Sequence, residues 1–155
     1  MSSPITSIGS AAEAESASYQ KRAAHYEALM TQLREREAEI RKGGGERRLQ
    51  REHDRGKLTA RERIDALLDD PEDFKELGIF AGDGMYDDDG GCPAGGTVMG
   101  LGHVNGRRAL VVANDATVKA GAWFPITAKK NLRAQEIVFF FKQKTAYEVH
   151  SGDWS

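Results

Sequence analysis

TVMGLGHVNGRRALVVAN, residues 97–114, is the stretch on which the fold turns. Two runs of strand-forming residues flank Asn105-Gly106. That pair is favoured in a two-residue type I′ turn, where both central residues take positive φ. The spacing therefore predicts an antiparallel hairpin. Its second run, ALVVAN, is continuously apolar and predicts a buried central strand. The chain then passes through a polar, small-residue loop, DATVKAGAWFP, into ITAKKNLRAQEI, which has the periodicity of an amphipathic helix. Pro125 stands near the start of that helix, where its missing N–H costs least. A hairpin feeding a helix is compatible with an α/β fold.

Upstream, RGKLTARERIDALLDD contains Thr59 followed three residues later by Glu62, a capping box opening a helix with Ile64, Leu67 and Leu68 as its apolar stripe. Asp69, Asp70 and Pro71 end it. DFKELGIF, residues 73–80, alternates enough to predict a short strand. Residues 19–42 have helical spacing, with Tyr19, Ala23, Tyr26, Met30, Leu33 and Ile40 on one face and charged REREAE on the other, as in a solvated helix docked on a larger body. The glycines at 43–45 stop this helix, since each costs about 1 kcal/mol against Ala in a helix interior. They match neither phosphate-loop pattern, G-x-x-x-x-G-K-[ST] or G-x-G-x-x-G.

Composition narrows the functional classes. A net charge of −2 over 155 residues gives no global field for nucleic acid or an anionic membrane. The basic run from Arg47 to Arg63 is interleaved with Glu46, Glu52, Asp54, Glu62 and Asp65 and has no aromatic residue for base stacking, so it reads as a salt-bridged surface. The single cysteine, Cys92, excludes an intrachain disulfide and a thiolate metal cluster. In the Asp-rich loop, a calcium EF loop would need Glu at its twelfth position, and counting from Asp83 or Asp87 finds Ala94 or Val98. No metal is expected. No apolar run approaches the roughly 20 residues of a membrane span. The first residues lack a secretory h-region and an Arg-rich transit pattern, so a cytoplasmic protein is the simplest expectation.

Taken together, RGKLTARERIDALLD and GGTVMGLGHVNGRRALVVANDATVKAGAWFPITAKKNLRAQEI resemble the N-terminal part of the carboxyltransferase (beta) subunits of biotin-dependent acyl-CoA carboxylases. GGGE and ANDATVKAGAWFP point to the methylcrotonoyl-CoA branch; the propionyl-CoA branch is less similar in that second block. The resemblance spans residues 19–137. It implies a crotonase-like (ClpP/crotonase) spiral of β-β-α units, here truncated and preceded by N-terminal helices. It implies carboxyl transfer from N1-carboxybiotin to an acyl-CoA. Implied partners are a biotin carboxylase and biotin-carrier subunit and further copies of the beta subunit. The oxyanion-hole turns of the family lie downstream, so no catalytic residue is expected here. In crotonase-like folds, the loop after an early central strand lies along coenzyme A. That loop is residues 114–121, with Ala116, Ala120 and Gly121 small enough for a pantetheine arm and Lys119 placed to meet a phosphate. The same residues also read as a tight strand-to-helix connection with a solvent-facing lysine. The family usually has glycine where Ala120 stands, so a positive φ there would strain the alanine.

The expected domain organisation is a disordered lead-in at 1–18, the carboxyltransferase piece at 19–137, and a foreign tail at 138–155. After RAQEI the family pattern stops. KQKTAYE back-translates to AAG CAG AAG ACG GCA TAC GAG, a string matching a sequencing-library adapter, and DWS fits its next constant segment. A chain broken at this point should leave strand edges and a helix face uncovered. The alternative to an enzyme fragment is a non-enzymatic module docking through the helix at residues 19–40, which would have no need of ANDATVKAGAWFP.

Overall fold

The computed structural model describes the backbone of residues 16–151 and side chains from 16 to 140. Residues 1–15 of the expected lead-in lie outside the described residues, and helix α1 (Ala17–Arg41) begins just before Tyr19. The chain divides into two compact units, residues 1–36 and 37–155. In the first, Tyr19, Tyr26, Leu29 and Leu33 of α1 are exposed; Ile40, in the second, is the position along this helix that is buried.

The second unit holds α2 (Glu46–Asp54), α3 (Ala60–Leu67), β1 (Lys75–Glu76), β2 (Thr97–Val104), β3 (Arg107–Asn114) and α4 (Pro125–Ser151). The strands form one antiparallel sheet in the order β1-β2-β3. The hairpin is the one the sequence predicts. Val104 pairs with Arg107, and Asn105 and Gly106 take φ of 51° and 71°, as a type I′ turn requires. Asp69, just beyond α3, accepts both turn N–H groups at 2.7 Å. These bonds, from Gly106 first and Asn105 second, lower the pKa of its carboxyl.

The expected burial of β3 is not observed. β2 is central and buried from Thr97 to Gly100, while β3 pairs only with β2 among the described residues, with Val112 exposed. An apolar run reports that a strand belongs in a core, but it cannot say whether that core is complete within a given piece of chain.

In the hairpin register, Val98, Gly100, Gly102 and Val104 share a face with Ala113, Val111, Ala109 and Arg107. Ala60, Ile64 and Leu68 pack there with Val98 and Ala113, flanked by Phe74, Val104 and Val111. The two glycines permit this approach. A Cβ at Gly102 would lie 2.6 Å from Leu68 Cδ2, and one at Gly100 would meet the Phe74 ring and the Lys75 carbonyl. Burying a side chain such as Ile64, 2% exposed, contributes about 1.5–3 kcal/mol. The capping box forms as expected: Glu62 N–H donates to Thr59 Oγ1 at 3.4 Å and Thr59 N–H to Glu62 Oε2 at 2.7 Å. Met99 is buried on the other face of β2, and α4 contacts both β2 and β3.

Three further differences from expectation have local causes. Of residues 73–80, only Lys75 and Glu76 are strand, because Gly78 takes φ of 63° and turns the chain away. α2 was not foreseen: its nine residues contain a single aliphatic side chain, Leu49, so no apolar periodicity marks it. α4 runs through residue 137 without a break to Ser151, with Val138, Phe139 and Phe140 exposed. Two members of the basic run, Arg55 and Arg61, are ion-paired. Arg61 forks onto Glu76 at 2.6 and 3.0 Å, Arg41 joins it at 3.1 Å, and Arg55 pairs with Glu52.

Two apolar grooves flank α4. One, of about 400 Å³, is lined by Leu110, Val112, Ala134 and Val138 among others. The other, of about 640 Å³, lies between Leu77, Leu101, Ile137 and Phe140. None of the described helices is long and apolar enough to cross a membrane.

Candidate functional site

The loop leaving β3 is built by short polar ties. Asp115 N–H donates to Gly96 O at 3.0 Å. The Asp115 carboxylate then accepts from Thr117 N–H at 2.9 Å and Thr117 Oγ1–H at 2.6 Å, an Asx-type turn. Asn114 Nδ2 closes the far end by donating to Gly121 O at 2.9 Å. Thr117 and Val118 point inward, 2% and 1% exposed, and Val118 packs with Cys92 and Phe124. Ala116, Lys119 and Ala120 on either side of this inward pair are exposed.

Lys119, Ala120 and Gly121 have φ of 45°, 55° and 82°. Three successive left-handed residues make a sharp corner that L-side chains enter at a cost of roughly 1–2 kcal/mol each. The strain expected for Ala120 at positive φ is therefore present. Lys119 does not simply project into solvent. Its Nζ lies 3.4 Å from Asp89 Oδ2 and 4.6 Å from the centroid of the Phe124 ring. Phe124 is itself fixed against Tyr86, with ring centroids 4.6 Å apart. The ammonium is thus aimed but still accessible.

All four residues singled out in the sequence, Ala116, Lys119, Ala120 and Gly121, lie on this corner, with Gly121 half-buried and the other three exposed. Small side chains and an oriented cation suit the binding of an extended anionic molecule along the backbone. Two of the histidines are engaged elsewhere: His103 is at the hairpin, 2.6 Å from Asp73, and His53 bonds Glu62. No grouping of metal-binding side chains occurs among the described residues. Below the loop, Lys130 of α4 is 5% exposed and donates from Nζ to Ala94 O at 2.8 Å and Thr97 O at 2.6 Å. Burial lowers its pKa from 10.5 to about 8, and Arg61 adds to the lowering against the opposing charge of Glu76. Burial raises the Cys92 thiol.

Sequence reasoning missed the outer supports of the loop. Gly44 N–H donates to Thr117 Oγ1 at 2.9 Å, and Arg48 Nη1 to Thr117 O at 3.3 Å. The run of three glycines is the available signal, since a helix stop needs only one.

A three-stranded sheet between α3 and α4, with a left-handed corner after its outer strand, is part of a crotonase-like α/β domain of the carboxyltransferase type. The solved structures bear this out. A transcarboxylase 12S structure with methylmalonyl-coenzyme A and methylmalonic acid bound superposes with a TM-score of 0.66 at 36% identity, covering 74% of this chain and 23% of that one. The beta subunit of geranyl-CoA carboxylase from P. aeruginosa gives 0.73 at 29% identity, covering 85% and 24%. The carboxyl transferase domain family matches residues 51–152, and the chain belongs to that family. The probable mitochondrial methylcrotonoyl-CoA carboxylase beta chain of Drosophila melanogaster is 45% identical over 145 residues, 94% of this chain and 25% of the relative. The biotin-dependent 3-methylcrotonyl-coenzyme A carboxylase beta1 subunit of Mycobacterium tuberculosis is 45% identical over 124 residues, 80% and 23%. The chain thus spans about a quarter of the length of these relatives.

Proposed function

We propose that this chain is the N-terminal part of a cytoplasmic carboxyltransferase subunit that transfers a carboxyl group from carboxybiotin to an acyl-CoA, methylcrotonoyl-CoA or a close analogue. The observation that carries the reading is the loop after β3. It presents Ala116, Ala120 and Gly121 as a surface low enough for a pantetheine arm, and Lys119 as an oriented cation for a coenzyme A phosphate. Carboxyl transfer also needs N–H donors aimed at a thioester enolate oxygen. Those donors belong to parts of the protein beyond this chain, so the chain by itself binds and does not turn over.

By the family membership, carboxybiotin would be carried by a partner, a biotin carboxylase and biotin-carrier subunit, with further beta subunits completing the site. The exposed flank of β3 and the grooves beside α4 fit a domain whose remaining layers lie elsewhere in the longer protein. Residues 138–155 are proposed to be translated adapter on the codon match of KQKTAYE and DWS; the carboxyl transferase match, which runs on to residue 152, is the observation that stands against it.

The test begins at the locus, sequenced downstream of the ANDATVKAGAWFP codons. The reading expects the frame to run on from RAQEI into a glycine-rich turn. The completed subunit, supplied with biotin carboxylase and carrier, should then carboxylate methylcrotonoyl-CoA. A locus that encodes FFFKQKTAYEVHSGDWS refutes the adapter assignment; a completed subunit that carboxylates no acyl-CoA refutes the activity.

A further inference from the structure

Helix termination needs only one glycine, yet residues 43–45 are three in a row, and Gly44 is one of the outer supports of the loop. Their surroundings are specific. Gly43 and Gly45 take φ of 55° and 88°. A Cβ on Gly43 would lie 2.6 Å from Asp115 Oδ2 and 2.8 Å from Thr117 Oγ1, and one on Gly44 would strike the Thr117 carbonyl. The backbone at Gly44 comes this close in order to donate to Thr117 Oγ1 at 2.9 Å. That hydroxyl passes its own proton to Asp115 at 2.6 Å. Arg48, on the first turn of α2, donates to Thr117 O at 3.3 Å. Thr117 is 2% exposed and sits between Ala116 and the left-handed corner.

From this geometry we infer that the tri-glycine segment is a positioning element for the coenzyme A loop: Gly44, Thr117 and Asp115 form a hydrogen-bond relay that sets where Ala116, Lys119 and Ala120 present themselves to ligand. The inference rests on the reading of that loop as the coenzyme A surface. The relay joins residues 73 positions apart, so the helix–turn–helix segment before the sheet determines the geometry of a loop after it. Thr117 touches no ligand; it acts through the corner.

The experiment uses the whole chain and three substitutions: Thr117→Val, of equal shape but without the hydroxyl; Thr117→Ser, which restores it; and Gly44→Ala, which displaces the relay from the other side. Coenzyme A itself is titrated by calorimetry, and hydrogen exchange is followed across residues 115–122. Losing a relay in which one hydroxyl both donates and accepts should weaken binding about tenfold in Thr117→Val and speed loop exchange by about the same factor. Gly44→Ala should do likewise, and Thr117→Ser should recover both readouts while unfolding stays cooperative in all three. Thr117→Val with unchanged affinity and unchanged loop exchange overturns the inference. If the parent chain does not bind coenzyme A, the reading of the loop as its surface fails. Loop exchange then decides the relay alone: faster exchange in Thr117→Val and Gly44→Ala keeps it, and unchanged exchange removes it.

Discussion

Replacing Lys130 with methionine tests how the buried lysine holds the start of β2. Its Nζ donates to the carbonyls of Ala94 and Thr97, residues 5% and 1% exposed. Two hydrogen bonds from a charged donor are worth about 1.5–3 kcal/mol each. Against them stands the cost of burying the ammonium. A pKa lowered from 10.5 to about 8 corresponds to about 3 kcal/mol at 1.36 kcal/mol per unit. The balance at neutral pH leaves the methionine variant about 0–3 kcal/mol less stable.

The pH dependence is the sharper signature. The unfolded chain keeps the lysine proton up to about pH 10.5, whereas the folded chain releases it near 8. Unfolding therefore takes up a proton between these values, and stability rises with pH in that window. The neutral amine still has two N–H groups for the same two carbonyls. Between pH 8 and pH 9 the gain comes to about 1 kcal/mol. Cys92 opposes it at higher pH, since a folded thiol pKa raised above 9.0 makes stability fall as pH climbs past the unfolded value. Cys92 and Lys130 feel each other's charge, so both proteins are compared in a Cys92→Ala background, where the thiol is absent. Urea unfolding followed by circular dichroism at pH 8 and pH 9 measures the gap. It should widen by about 1 kcal/mol; a gap that stays constant or narrows refutes the account of Lys130 as a buried, proton-shedding amine.

Other expectations follow from single contacts. Ala120→Gly should stabilise the chain by about 0.5–1 kcal/mol in urea, because relief of a left-handed alanine outweighs the added freedom of the unfolded glycine. Gly100→Ala should cost about 1–3 kcal/mol and loosen β1, since its Cβ would meet the Phe74 ring and the Lys75 carbonyl; unchanged hydrogen exchange at Leu77 N–H, which bonds Met99 O at 2.7 Å, would contradict this. Thr59→Ala should cost about 1 kcal/mol through loss of the cap. The Glu62 carboxyl is lowered to about 2, chiefly by the backbone hydrogen bond from Thr59. Its contribution is therefore present above about pH 4.5 and lost as pH falls toward 2, readable as a carboxyl titration by NMR.

What could be read in advance was local. Asn105-Gly106 permits one kind of turn, and Thr59 with Glu62 one kind of helix start, because the interacting groups are within three residues of each other. The candidate loop was legible as a set of residues: Ala116, Lys119, Ala120 and Gly121 do share one corner. Its support was not. Asp89 reaches Lys119 across thirty positions, and nothing in DDDGG announces which carboxylate will do so. α2 was hidden because its exposed, charged surface leaves a single aliphatic residue and no period to detect.

The sequence by itself determined the hairpin, the capped helix, the helix after Pro125 and, through the linked motifs around residues 57–137, membership of the carboxyltransferase family. Each depends on near neighbours or on a pattern long enough to be specific. Only the tertiary structure decided that β2 rather than β3 is central, that Lys130 among several similar helix positions is the buried one, and that Gly44 meets Thr117. Those outcomes depend on which surfaces remain to be covered once every element has docked. Residues 44 and 117 are brought together by the packing of the whole unit, and no local propensity encodes their contact.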